Sequence, residues 1–124
     1  MLKLLSSLAL FAMATAASAH ELAKGPNGGP MVDVAGHHVE MVAKGTELVL
    51  YLSDAADKPL ASAGTKAARA IIQDSGRTAT VALAAVAPNK LVGTLAQPLG
   101  TGAKIVVSAT LADGHALQAR FTAN

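Results

Sequence analysis

Gly25 to Val42 reads GPNGGPMVDVAGHHVEMV. The reading of this stretch decides the fold. Gly25-Pro26-Asn27-Gly28-Gly29-Pro30 cannot be helix or central strand, because proline lacks a backbone donor and this composition favours turns. Met31 to Val34 is expected as a short strand that Gly36 stops. His37 to Lys44 then alternates with a period of two. Val39 and Met41 fall on one face, and His38, Glu40 and Val42 on the other. Turn, strand, glycine and strand in succession announce an antiparallel β pattern.

The pattern continues downstream. Lys44-Gly45-Thr46 is a tight turn into Thr46–Ser53, TELVLYLS, where Leu48, Leu50 and Leu52 share one face and Val49 and Tyr51 the other. Asp54 to Pro59 is a loop, and Leu60–Gly64 is expected as an edge strand. KAARAII, from Lys66, would suit a helix by propensity alone. The turn formers Asp74-Ser75-Gly76-Arg77 favour a strand there, with a hairpin into Thr78–Val86. Pro88-Asn89-Lys90 turns the chain into Leu91–Ala96. Lys104–Leu111 and Ala116–Thr122 pair through Asp113-Gly114, a strong hairpin signal. About seven or eight short strands with a turn roughly every ten residues predict an all-β fold. The expectation is an antiparallel immunoglobulin-like β-sandwich, with a small barrel as the alternative.

Upstream, Lys3, the apolar run Leu4–Ala14 and Ala17-Ser18-Ala19 make a secretory signal with an A-x-A cleavage site. The run is too short to span a bilayer. Removal of residues 1–19 from the 124 leaves 105, enough for one domain. The expected organisation is a signal peptide over 1–19, a flexible arm and Gly/Pro turn over 20–29, and the sandwich over 30–124. The product is expected to be periplasmic and not membrane-embedded after processing.

Composition excludes several functions. The formal charge is +2, or about +1 without Lys3, and no basic cluster marks a nucleic-acid surface. Cysteine is absent, so neither disulfides nor thiolate chemistry is available. Tyr51 and Phe121 are the only aromatics outside the leader, which leaves no stacking platform for sugars or bases. There is no G-x-S-x-G, no H-E-x-x-H and no phosphate loop between strand and helix. Asp113 and His115 have no spacing that supports a triad. The protein is therefore not expected to be an enzyme.

What remains is metal chemistry. Cleavage after Ala19 would leave His20 with an α-amine and an imidazole on one residue, a pair that chelates copper(II). The competing reading is a bystander on a floppy arm. His38 and Glu40, at i and i+2 of a strand, lie roughly 6–7 Å apart on one side and could share zinc or copper. They fit a solvated outer face with an ion pair equally well. His37 points the other way, either as a ligand or as a strand-end residue at the rim of the core. Met31 and Met41 could offer thioethers to copper(I), but methionines in strands more often fill a core. His115 follows a turn whose position the sequence does not fix.

GPNGG, then GHHVEMV, then ELVLYLSDAADKPL together resemble a domain in the periplasmic adaptor subunits of heavy-metal RND efflux systems, of the copper-silver and cobalt-zinc-cadmium classes. They look still more like small stand-alone exported proteins of the same pattern. The resemblance runs from Gly25 to Thr122, and its motifs are short. It implies a periplasmic β-sandwich associated with transition-metal handling. The matching positions are Asn27, Gly28, Gly29, His38 and Glu40, with Asn27 standing where many relatives carry His. The chain shows no counterpart of an adaptor's coiled-coil hairpin or lipoyl-like regions. The leading expectation is thus a small copper- or zinc-binding chaperone or buffer beside an efflux complex. His38 and Glu40 would centre the site, His20 would be a mobile ligand, and His37 or His115 would complete it. A metal-free interaction module docking through a sheet edge or face is the alternative. A copper enzyme with an N-terminal histidine is a weaker third.

Overall fold

The computed structural model describes the backbone of His20–Leu22 and residues 24–124; the expected leader, residues 1–19, lies outside the described residues. Every regular element among the described residues is a β-strand: β1 His20–Leu22, β2 Met31–Val34, β3 His37–Lys44, β4 Glu47–Asp54, β5 Lys66–Asp74, β6 Arg77–Ala82, β7 Ala84–Val86, β8 Lys90–Thr94, β9 Lys104–Thr110 and β10 Ala116–Thr122. They form two sheets, one ordered β1-β2-β3-β4-β8-β7 and the other β10-β9-β5-β6. Each pairing is antiparallel.

The expected alternation builds one core between the sheets. Val39, Met41, Leu48, Leu50, Leu52 and Leu91 enter it from the first sheet, and Ala70, Ile72, Ile105, Val107, Leu117, Ala119 and Phe121 from the second. A barrel would need one closed sheet, so the sandwich-like reading holds and the barrel does not. KAARAII is strand, inside β5. Its helix propensity yields because Ala70 and Ile72 are buried in the core opposite the first sheet. The turn at Ala35-Gly36 has both central residues at positive φ, 50° and 79°. Such a primed turn matches the twist of the strands that it joins.

Three expectations change. Leu60–Gly64 is not an edge strand; only an isolated bridge, Ser53 to Pro59, marks that region. Buried Ser62 explains why: its hydroxyl donates to Val86 O at 2.9 Å and its N–H to Pro88 O at 3.0 Å. The loop is thus bound to β7 through a side chain and not through a ladder. Thr78–Val86 is not one strand either. It breaks at Leu83 into β6 of one sheet and β7 of the other. Leu83 turns its side chain into the core, and its N–H reaches Ala68 O at 2.9 Å. Gly93 makes room for this corner, since a Cβ there would lie 2.8 Å from both Leu83 and Val81 side-chain atoms. Lastly, His20–Leu22, read above as part of a flexible arm, runs antiparallel along β2.

Leu50 lies at the centre of this core with no exposed surface. Leu50→Ala is expected to cost about 2–5 kcal/mol, read as a lower urea midpoint with an unchanged slope.

Candidate functional site

Glu40 is the buried charge of the fold, 2% exposed on β3. Its side chain sits on the side of the sheet away from the core, as its alternation with Val39 and Met41 requires. The 25–30 turn folds back over it. Asn27 N–H donates to Oε2 at 2.9 Å and to Oε1 at 3.2 Å, Asn27 Nδ2 donates to Oε1 at 3.0 Å, and Gly29 N–H donates to Oε2 at 2.8 Å. The approach is close enough to demand glycine. A Cβ at Gly25 would lie 2.3 Å from Glu40 Cδ, and one at Gly29 would lie 2.1 Å from Met41 O. Met41 N–H also binds Pro30 O at 3.0 Å. The G-P-N-G-G turn and the glutamate thirteen residues after Asn27 are one hydrogen-bonded unit. Both carboxylate oxygens are committed to the turn, so Glu40 in this arrangement ties the turn to β3.

His38 shares the outer side with Glu40 but has its own partner. Its Nδ1 lies 2.7 Å from Asp57 Oδ1, and its side chain is 12% exposed. A carboxylate only accepts, so Nδ1 donates in this bond and Nε2 takes no part in it. Asp57 comes from the loop after β4, at a positive φ of 61°. That loop is shaped by Asp54, whose Oδ1 accepts from Ala56 N at 2.9 Å and Lys58 N at 3.0 Å. The Lys58 N–H, then the Ala56 N–H and the charges of Lys58 and His38, hold the Asp54 carboxyl below its ordinary value.

His37, on the opposite side of β3, meets His115 from the other sheet. Their ring centroids are 6.4 Å apart and the planes are tilted by 52°. His115 follows the Leu111–His115 connection, where Leu111 N–H binds His115 O at 2.9 Å. Asp113 organises it: Oδ1 accepts from His115 N–H at 2.9 Å and Oδ2 from Nδ1 at 2.7 Å. The backbone donor and then the ring of His115 hold the Asp113 carboxyl below its ordinary value, with a smaller contribution from His37. Nε2 of His115 takes no part in these bonds, and the side chain is 72% exposed.

The expected ligands therefore separate. His37 and His115 come together at the rim between the sheets. His38 and Glu40 share the outer side, each held by a different partner. His20 stands opposite Asp33 in Cα register, and Asp33 opposite His38; the His20 side chain lies outside what the structure describes. Among the described residues no three His, Asp or Glu side chains stand together as a ready-made metal site. Asp57 and Asp113 were missed from sequence. Asp113 carried a signal, since an Asp two residues before a His can form an Asx turn. Asp57 carried none, being 19 residues from His38.

No protein-family model, no curated protein and no solved structure matches the chain. No helix among the described residues is long and apolar enough to cross a membrane.

Glu40→Gln replaces an anionic acceptor by an amide that brings its own donors against the turn. It is expected to cost about 1.5–3 kcal/mol, the usual worth of a hydrogen bond to a charged group, as a fall in the urea midpoint. The lowered carboxyls set an acid limit. Their folded values lie below the ordinary 3.8, so their stabilisation is present above that value and is lost as pH falls through the folded values. Asp54→Asn is expected to flatten the stability-versus-pH curve below about pH 4, measured by urea unfolding at stepped pH.

Proposed function

We propose that this is a small periplasmic metal-binding protein, for copper or zinc, acting as a chaperone or buffer beside a heavy-metal efflux system. The observation that carries the reading is the His37–His115 pair. Two imidazoles on one ion at 2.0–2.1 Å place their ring centroids about 5 Å apart at a tetrahedral angle and about 6.4 Å apart when linear. The observed 6.4 Å lies at the edge of that span, and exposed His115 has side-chain freedom to close it. Asp113 adds what a histidine ligand needs behind it, a carboxylate that fixes the tautomer and raises the basicity of the other nitrogen. With two imidazoles in place, water would complete the shell. His38, backed by Asp57 in the same way, is a separate single imidazole on the outer side, and His20 is a further donor if processing exposes its amine. The immunoglobulin-like kinship of the sandwich belongs to the same proposal. Its support is the set of sheet-to-sheet crossings, β4 to β5, β6 to β7 and β8 to β9. The likeness to efflux-adaptor domains supports the periplasmic metal context.

Calorimetric titration of the purified protein with zinc(II) and copper(II) tests this. Binding tighter than about micromolar, roughly −8 kcal/mol, is expected. His115→Ala should abolish the rim site, Asp113→Asn should weaken it about 10–100-fold, and Glu40→Gln should leave it intact. Full binding in the His37→Ala/His115→Ala double variant would sink the rim site.

The metal-free interaction module keeps one observation in its favour. Val42, Val49, Val92 and Ala84 stand in one register row across β3, β4, β8 and β7. Val49 is 7% exposed yet outside the core cluster. An apolar row on the side of an antiparallel sheet away from the core is where water would ordinarily meet polar residues. Co-purification of an envelope partner that survives a chelator and is lost in Val42→Lys would favour this reading.

A further inference from the structure

The rim histidines belong to different sheets. His37 opens β3 in the six-stranded sheet, while His115 immediately precedes β10 in the four-stranded one. An ion held by both would tie the sheets together at one end of their shared core. The donors close at hand are the two imidazoles, and the pair opens to solvent, with the His115 and Asp113 side chains 72% and 55% exposed. Water is therefore available for the remaining positions. The thioethers are not at hand. Met31 is three residues along β2 from Val34, the register partner of His37, which is about 10 Å of strand. Met41 is four residues along β3 from His37, about 13 Å, and is 3% exposed within the core. Imidazole suits zinc and copper alike, and no thioether or thiolate stands here to bias the pair toward copper(I).

Resting on the metal-binding reading, we infer that His37 and His115 form a clip between the two sheets for zinc(II) or copper(II). A clip of this kind links occupancy to folding, because the unfolded chain does not hold the two rings together. Zinc(II) then raises the unfolding midpoint, and removal of either imidazole removes the rise. His38 contributes nothing to it, since it lies on the opposite side of β3 from His37.

The test is urea unfolding of the purified protein, alone and with excess zinc(II) or copper(II). Parallel calorimetry records whether each ion binds. Both ions are expected to raise the midpoint of the parent and of His38→Ala, and to leave that of His115→Ala where it stands without metal. His115 is exposed, so its replacement keeps the fold and isolates the clip. Zinc(II) binding by calorimetry with no midpoint rise, or with a rise that persists in His115→Ala, would overturn the clip alone. No binding of either ion would overturn both the clip and the function proposed above.

Discussion

A buried carboxylate holds the beginning of this fold in place. Glu40 is 2% exposed and takes its hydrogen bonds from the backbone of Asn27 and Gly29 and from the side chain of Asn27. A charge removed from water to this degree is tolerable only when its acceptors are filled. The 25–30 turn is what fills them. The turn in turn delivers the chain to Met31, whose register partner is Glu40 itself. Turn, β2 and β3 are thus closed on one another within one stretch of chain. That closure fixes the register of β3, and with it which side of the sheet His37 and His38 occupy.

This reframes the segment that resembles efflux-adaptor domains. Asn27, Gly28, Gly29 and Glu40 fall inside one hydrogen-bonded unit, and a steric reason accounts for the glycines Gly25 and Gly29. A pattern of turn glycines followed by a strand glutamate can therefore recur for a structural reason, whatever the site nearby binds. The histidines sit next to this unit without belonging to it. His38 is held by Asp57 from the β4 side, and His37 turns toward His115. His37 and Glu40 lie on opposite sides of β3, because successive side chains of a strand face opposite ways.

The carboxylates behind the two histidines give the site its chemical character. Asp57 and Asp113 each accept a hydrogen bond from Nδ1 at 2.7 Å and so fix the ring with its other nitrogen turned away from the carboxylate. Both carboxylates belong to loops organised by their own Asx-type contacts, Asp54 to Ala56 and Asp113 to His115. The loops are short and stiffened by side chain to backbone bonds, which lets them hold an imidazole in one orientation without a regular element beneath it. The apolar row through Val42, Val49 and Val92 runs on the other side of β3 from the rim pair, so a docking surface and a metal site can coexist without sharing residues.

By itself the sequence determined the class of fold and the bounds of most strands. His37–Lys44 and Ala116–Thr122 were legible to the residue because their alternation is uninterrupted and turn formers flank them. It also determined that metal ligation, if present, would rest on histidines, since cysteine is absent. It did not reveal the break at Leu83. Alternation through Thr78–Val86 is unbroken along the chain, and only the packing of Leu83 and Val81 against Gly93 turns the strand from one sheet to the other. Nor could it place Glu40, whose pairing with His38 followed from strand geometry alone. The turn that covers the carboxylate lies thirteen residues away and is brought there by the β2–β3 hairpin. The meeting of His37 and His115 was out of reach for the same reason. Local periodicity tells which side of a strand a residue faces, but which distant turn stands opposite it is decided only when the two sheets close over their common core.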